Sequence, residues 1–377
     1  MGKKKVVVLG AGMVGKAIAI DLSKKHDVVA ADIDQRSLDF LSANYPVKTV
    51  GINLMEDESI ESVISDADLV VSAVPGFMGF DIVHTVIEAG KNIVDISFMP
   101  EDFMELNNLA ARKGVTAITD CGVAPGIPNL IAGHHNEYME IEDFTYYVGG
   151  LPKVKVYPFY YKAPFSPIDV VEEYTRPARY LEKGKHMTKP AMSEPEMVFF
   201  DKVGTLEAFY TDGLRSLLKN LGHIPNMREK TLRYPGHIQL IQALKKAGFF
   251  DTEPISVNNA SIRPIDFTSN VLIRDWQLDP EEREFTVMRI HLEGREENQR
   301  KKLEYELYDE YDEQAGLSSM ARTTGFTATA NAELILSERF NGKGVFPLEL
   351  IGLDKECFDF VMAYLEERNI RFSVNSQ

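Results

Sequence analysis

At 377 residues, 44% of them hydrophobic, the chain is long enough for two domains with a buried core. A formal net charge of −16 and the lack of any Lys/Arg-rich stripe exclude a nucleic-acid binder, which needs a positive footprint. Two cysteines without a CxxC pair exclude a disulfide framework and a cysteine zinc site; they fit a reducing, cytoplasmic setting, and no metal site is expected.

The run after Met1-Gly2-Lys3-Lys4-Lys5 resembles a secretory signal, but Gly10, Gly12 and Gly15 interrupt it and an amphipathic pattern succeeds it, so it reads as a strand and a helix. Val6 stands where myristoylation needs Ser or Thr. No uncharged stretch reaches the ~18 residues of a membrane span. A short β-branched run at Lys5–Leu9 predicts a strand buried on both faces, and Met13–Lys24 a helix. Strands come next at Val28–Asp32 and Leu69–Val74, then a helix at Phe80–Ala89 stopped by Gly90. A strand at Asn92–Ile96, a helix at Glu101–Lys113 ended by Gly114, and a strand at Val115–Thr119 complete the series. This alternation predicts an α/β, doubly wound Rossmann domain with a parallel sheet.

The pattern changes near Asp143. Phe144–Leu151 and Pro158–Lys162 read as strands. Met288, Ile290 and Leu292 alternate with Arg289, His291 and Glu293, and Leu303, Tyr305 and Leu307 alternate likewise. That predicts a long antiparallel hairpin with one wet face and its turn in Arg295–Lys302. Helices are expected at Gly316–Leu336 and Cys357–Arg368. The organisation expected is a Rossmann domain from 1–124 and 320–377, with an inserted α+β domain, 125–319, built on a mostly antiparallel sheet. Exposed edges of that sheet point to a homodimer.

Gly10-Ala11-Gly12-Met13-Val14-Gly15 matches GxGxxG between a strand and a helix, as a dinucleotide fingerprint requires. The first glycine serves the tight turn, the second the approach of a pyrophosphate, and the third helix–strand packing. Asp32 ends the second strand, where a carboxylate accepts ribose hydroxyls and repels a 2′-phosphate, which favours NAD. Arg36, four residues on, is a side chain able to hold that phosphate. Ala73, Val74 and Pro75 lie at the end of the next strand of this rim. Asp95 and Ser97 end another, and Asp120 ends the one after. Ligands of open α/β sheets bind at this edge.

Several motifs in order resemble the saccharopine dehydrogenase family, and within it the short lysine 6-dehydrogenase-type members. Asp120-Cys121-Gly122-Val123-Ala124-Pro125-Gly126 resembles the family's aspartate-glycine-proline-glycine turn. Val148-Gly149-Gly150-Leu151-Pro152 resembles its GGLP signature. Tyr161 to Pro167 and Thr231 to His237 resemble two further segments. The resemblance implies a Rossmann domain, an inserted substrate domain and C-terminal helices returning to the first. Where saccharopine-forming members carry an aspartate-histidine pair, this chain has Ala124-Pro125-Gly126-Ile127-Pro128. Asp212-Gly213-Leu214-Arg215-Ser216 replaces the stretch that helps hold saccharopine.

The resemblance, with these departures, implies an NAD-dependent amino acid dehydrogenase that deaminates L-lysine at the side-chain amine, giving a semialdehyde that cyclises to an imine. The alternatives are a saccharopine or carboxynorspermidine-type dehydrogenase acting on a larger amine-linked substrate, and a non-catalytic NAD-binding member. The chemistry needs a base, for which Asp120 is the first candidate and His237 the second. Cys121 reads as packing. A substrate carboxylate calls for a planar arginine fork: Arg176, Arg215, Arg233 and Arg322 are candidates, with Tyr174 and Thr324 as pocket lining. The partner expected is a small amino acid, with neither nucleic acid nor membrane.

Overall fold

The computed structural model describes residues 2–279 and 282–377. Met1, the first residue of the signal-like stretch, lies outside it, as do Pro280 and Glu281. The described chain forms two compact units, residues 2–140 with Met320–Arg371, and Ile141–Ser319 with Phe372–Gln377.

In chain order the first unit opens with β1 (Lys5–Leu9), α1 (Met13–Ser23), β2 (Asp27–Asp32), α2 (Gln35–Asn44), β3 (Val47–Gly51), α3 (Asp57–Ile64) and β4 (Leu69–Ser72). Then come α4 (Gly76–Glu88), β5 (Ile93–Asp95), α5 (Asn107–Lys113), β6 (Thr116–Thr119) and α6 (Ile127–Asn136). The second unit runs through β7 (Glu140–Pro152), α7 (Pro167–Thr175), β8 (Ala178–Glu182), β9 (Lys185–Lys189), β10 (Glu196–Phe200) and β11 (Gly204–Tyr210). It continues with α8 (Leu217–Asn220), β12 (Asn226–Arg233), α9 (His237–Lys246), β13 (Ile255–Val257), β14 (Ala260–Ile262), α10 (Pro264–Trp276), β15 (Glu284–Glu296) and β16 (Gln299–Glu310). Last are α11 (Ser319–Leu336), β17 (Gly344–Pro347), α12 (Leu348–Gly352), α13 (Lys355–Glu367) and β18 (Phe372–Ser376).

The first sheet has seven strands in the order β17-β6-β5-β4-β1-β2-β3, all parallel, which is the doubly wound arrangement expected. Its central strands are fully buried, as the unbroken apolar runs require, and Val7, Leu9, Val70, Ile93 and Ala117 share one core. The C-terminal helices add to this unit by close approach. A Cβ on Gly133 of α6 would lie 2.0 Å from the Glu349 carbonyl of α12, and one on Gly352 2.2 Å from the Leu130 carbonyl. Buried Asp21 of α1 accepts from Thr329 at 2.8 Å, Tyr364 at 2.8 Å and Arg368 at 2.9 Å, fixing α11 and α13. Burial alone would raise this carboxyl; the bonds from Arg368 and Tyr364 hold it below its usual range.

The second sheet is mixed rather than mostly antiparallel. β7 and β12 run parallel, with Asn226 opposite Asp143 and Thr231 opposite Val148. The segment between them carries α7, four strands and α8, which is the long crossover that a parallel pair needs. The β15–β16 hairpin forms with the expected faces, and Arg289 meets Glu306 across it at 2.6 Å. Its turn is shorter than expected. The strands continue to Glu296 and resume at Gln299, leaving only Glu297 and Asn298, both at positive φ, as a two-residue turn. No strand forms at Pro158–Lys162: Pro158 has no N–H to donate and Tyr160 has φ 53°. The helix expected at Glu101–Lys113 begins with a 3-10 turn, Phe103–Leu106, capped by Asp102. β18, which pairs with β16, falls outside every predicted element.

Candidate functional site

The glycine loop links β1 to α1. Gly10 has φ 96°, and a Cβ there would come within 2.5 Å of the Ala73 carbonyl. At Gly15 a Cβ would lie 2.0 Å from the Gly10 carbonyl, so helix and turn touch. Gly12 differs: nothing stands within 4 Å of its Cβ position, and it precedes α1 without a side-chain cap. Open space therefore faces the uncapped N–H groups of the first turn, where Met13 and Val14 sit half-buried. A dinucleotide pyrophosphate fits that cradle, by the hydrogen-bonding and dipole preference of helix N-termini.

Asp32, half-buried at the end of β2, accepts from Ala11 N at 2.5 Å and Asp34 N at 2.8 Å. These bonds orient the carboxylate at the loop. Arg36 is exposed in the first turn of α2, its backbone N–H on Asp34. Ala73 and Pro75 are half-buried and Val74 is buried beside the loop. These residues, with Gly10, Gly12 and Gly15, gather at one edge of the sheet.

Asp95 and Ser97 are placed differently. Both are buried, and Asp95 Oδ2 accepts from Ser97 N at 3.1 Å and Ser97 Oγ at 2.7 Å. Ser97 Oγ lies where a Cβ on Gly79 would stand, 1.9 Å away, so α4 packs directly on this pair. The Asp95 carbonyl accepts from Cys121 N at 3.0 Å, which carries β6 past its last paired residue and sets Asp120 nearby. Asp120 is 2% exposed with φ 51°, a conformation that Asp tolerates. Burial pushes Asp95 up to about 7, and the negative charge of Asp120 adds to it. Burial likewise pushes the Cys121 thiol well above its usual range, which fits packing and argues against a thiolate. Thr324 of α11 reaches the same turn, its methyl 3.3 Å from the Cβ position of Gly122. Arg322, on the same helix, donates to the Arg368 carbonyl at 2.9 Å, at the end of α13.

In the second unit Tyr174, Arg233 and His237 come together. Arg233 Nε donates to the Tyr174 hydroxyl at 2.9 Å, and that hydroxyl lies 2.8 Å from His237 Nε2. His237 Nδ1 is 2.8 Å from the Phe159 carbonyl, which can only accept. The imidazole is therefore neutral with its proton on Nδ1, and Tyr174 donates to Nε2. Burial, reinforced by the Arg233 charge, pushes His237 down to about 3. Arg233 also pairs with Glu173 at 2.8 Å and stacks over Tyr161 at 4.3 Å. His237 is thus walled into an aromatic core with Tyr161 and Trp276.

Arg176 and Arg215 form a separate group. Arg176 is half-buried, 3.4 Å from Glu172, and its pKa is lowered by burial and by the charge of Arg215. Arg215 is buried and has φ 45°. Asp212, in the same loop, takes a two-pronged pair from Arg179 at 2.8 and 2.7 Å. Sequence reasoning missed Glu173, Glu229 and Tyr146.

Among the described residues no His/Cys/Asp/Glu group is arranged to hold a metal, and no helix is long and apolar enough to cross a membrane.

Comparison with known proteins places this architecture. Residues 6–118 match the model of the saccharopine dehydrogenase NADP binding domain, and residues 122–370 that of the saccharopine dehydrogenase C-terminal domain. The rat protein "Alpha-aminoadipic semialdehyde synthase, mitochondrial" (Rattus norvegicus) is 23% identical over 99% of this chain and 48% of its own length. The Saccharomyces cerevisiae protein "Saccharopine dehydrogenase [NADP(+), L-glutamate-forming]" is 27% identical over 69% of this chain and 63% of itself. This chain thus spans about half the length of the rat relative. "Carboxyaminopropylagmatine dehydrogenase" of Synechocystis is 21% identical over 92% of both chains. Among solved structures, apo saccharopine dehydrogenase from S. cerevisiae superposes with a TM-score of 0.80 at 21% identity, covering 99% of this chain and 100% of that one. Homospermidine synthase from Legionella pneumophila, in complex with NAD, gives 0.70 at 12% identity, covering 100% and 92%. The expectation of a dehydrogenase family with a Rossmann domain holds, and with its two models matched in order over nearly the whole length, the chain belongs to the saccharopine dehydrogenase family.

Proposed function

We propose that the chain is an NAD(P)-dependent dehydrogenase acting at a C–N bond of a carboxylate-bearing amine. The first substrate candidate is L-lysine, oxidised at its side-chain amine to a semialdehyde that cyclises. The observation carrying the reading is the pairing of two structures in one chain. One is a glycine cradle whose Gly12 faces open space; the other is two arginines of the second unit, buried Arg215 and half-buried Arg176. Two cations held in partial burial suit a carboxylate, which Arg reads through a planar fork.

When bound, the dinucleotide supplies hydride exchange with the amine-bearing carbon. Gly10, Gly12, Met13, Val14, Gly15 and Asp32 would hold it, with Ala73, Val74 and Pro75 along the crevice. Asp32 supports NAD over NADP, since its oriented carboxylate repels a 2′-phosphate. Asp120 takes the role of base or amine anchor: the amine must lose a proton before oxidation, and the water that hydrolyses the iminium needs the same help. Asp95 and Ser97 support the rim from beneath.

A larger, amine-linked substrate is the second reading. The carboxyaminopropylagmatine and saccharopine dehydrogenases among the relatives favour it. The reading also includes a homodimer, supported by exposed Met197 and Phe199 on the edge strand β10, and a cytoplasmic location, supported by two buried free cysteines.

The deciding assay is reduced-cofactor formation with lysine, ornithine, glutamate and saccharopine, using NAD and NADP, each product identified by mass. Lysine labelled with nitrogen-15 at the side chain should release labelled ammonia. Release of the α-amine instead, or activity on saccharopine alone, overturns the lysine assignment. No turnover with any of the four overturns the dehydrogenase reading for simple amino-acid amines.

A further inference from the structure

The turn after β11, Thr211–Ser216, is buried, yet it carries an arginine in a left-handed conformation (Arg215, φ 45°). Such backbone persists only where surroundings over-determine it. Its neighbour Gly213 is held from two sides. Gly213 N donates to Glu229 Oε2 at 3.0 Å, and the Gly213 carbonyl accepts from the Tyr146 hydroxyl at 2.8 Å. Glu229 and Tyr146 face each other in register on the parallel strands β12 and β7. A Cβ on Gly213 would stand 2.7 Å from Glu229 and 2.8 Å from the Tyr146 hydroxyl, so only glycine fits this clamp. Glu229 is itself fixed by Thr211 Oγ1 at 2.6 and 2.8 Å, with Thr231 Oγ1 2.7 Å from Thr211.

A carboxylate in this place is costly, and nothing about strand packing calls for it. Burial raises Glu229 to about 8, with Glu173 and Asp212 adding to the shift against the bonds from Thr211 and Gly213. Glu229 accepts from the Thr211 hydroxyl and from Gly213 N, which ties the turn to β12.

We infer that Glu229, together with Tyr146, is a positioning residue for substrate recognition: it locks Gly213 and with it the turn that holds buried Arg215, which reads a substrate carboxylate. The inference rests on the proposed role of the arginine group. It predicts that losing the clamp weakens carboxylate binding while leaving the hydride step intact, because Glu229 meets neither cofactor nor reacting atoms.

Calorimetric binding of glutarate, a plain dicarboxylate, provides the test, alongside KM and kcat for whichever amine turns over. Glu229→Leu should weaken glutarate binding and raise KM by about 10- to 100-fold, the cost of misplacing a positioned group, with kcat changed less than about threefold. Tyr146→Phe, which removes one hydroxyl and keeps the ring, should shift both in the same direction and serves if Glu229→Leu fails to fold. Glu229→Gln, neutral and able to donate and accept, should restore binding to within about threefold of the parent. A folded Glu229→Leu or Tyr146→Phe that binds glutarate like the parent overturns the inference, even where its melting temperature falls. Arg215→Met separates the two levels. If it loses glutarate binding while the clamp variants keep it, the arginine site stands and the positioning role fails. If it also binds normally, the arginine reading fails and the inference with it.

Discussion

Asp32 accepts a hydrogen bond from the backbone N–H of Ala11 at 2.5 Å, so the carboxylate at the end of β2 is tied to the glycine loop itself. The carboxylate proposed to set cofactor choice and the loop proposed to hold the pyrophosphate are thereby mechanically linked. Asp32→Ser should cut NAD affinity by about tenfold or more and relieve the repulsion of a 2′-phosphate, with Arg36 available on α2 to meet it. The ratio of kcat/KM for NAD and NADP in parent and variant checks this. Equal use of both cofactors by the parent would remove the role given to Asp32.

The three glycines of the loop should not behave alike. Gly15→Ala places a methyl 2.0 Å from a backbone carbonyl and should destabilise the first unit. Gly12→Ala meets nothing within 4 Å, so the free protein should melt within about 1 °C of the parent, a surface-like effect. Its methyl points into the open cradle, and dinucleotide binding should fall by about tenfold or more. Thermal melts with and without NAD would show a parent-like melt that no longer rises with cofactor.

Asp120 and Asp95 share one buried neighbourhood but should separate by function. Asp120→Asn keeps the size and loses the proton acceptor; turnover should fall about 100-fold with cofactor binding retained. Asp95 has a folded pKa near 7, raised from an unfolded value near 3.8. The folded state binds the extra proton, so its contribution is full below the unfolded pKa and is lost as pH rises through 7. Asp95→Asn should therefore be more stable than the parent at pH 8 and lose that advantage by pH 5. Denaturant midpoints at the two values decide it.

His237 should act on stability rather than on the pH–rate profile. Its folded pKa is pushed down to about 3, below the ordinary value of 6.5. The unfolded chain takes up the proton first, so this contribution is full above about pH 6.5 and is lost as pH falls toward 3, by an amount on the order of a few kcal/mol. In His237→Gln the fall in stability between pH 7 and 4.5 should be shallower than in the parent. A limb of the kcat profile that disappears in this variant would instead make His237 the proton carrier.

The dinucleotide unit was legible because its signals are local. β1 and β4 are apolar runs whose every residue from Val6 to Leu9 and Leu69 to Ser72 is buried, and GxGxxG needs only six neighbouring residues to make its turn. Asp32 and Asp120 could be placed at strand ends for the same reason. In the second unit the β15–β16 hairpin was readable from its alternation, but the order of the strands in the sheet was not. Whether β7 lies parallel to β12 depends on a crossover of some seventy residues, and no local pattern in either strand records it. The family resemblance put Arg233 and His237 in one motif, but only the folded chain brought Tyr174 between them and turned a candidate base into a neutral, walled-in ring. Glu229 shows the limit most clearly. In the sequence it is one more charge in a charged protein; in the structure it is a buried acid whose meaning comes from Gly213 and Tyr146, residues 16 and 83 positions away along the chain, because hydrogen-bond partners are chosen by space and desolvation, not by sequence order.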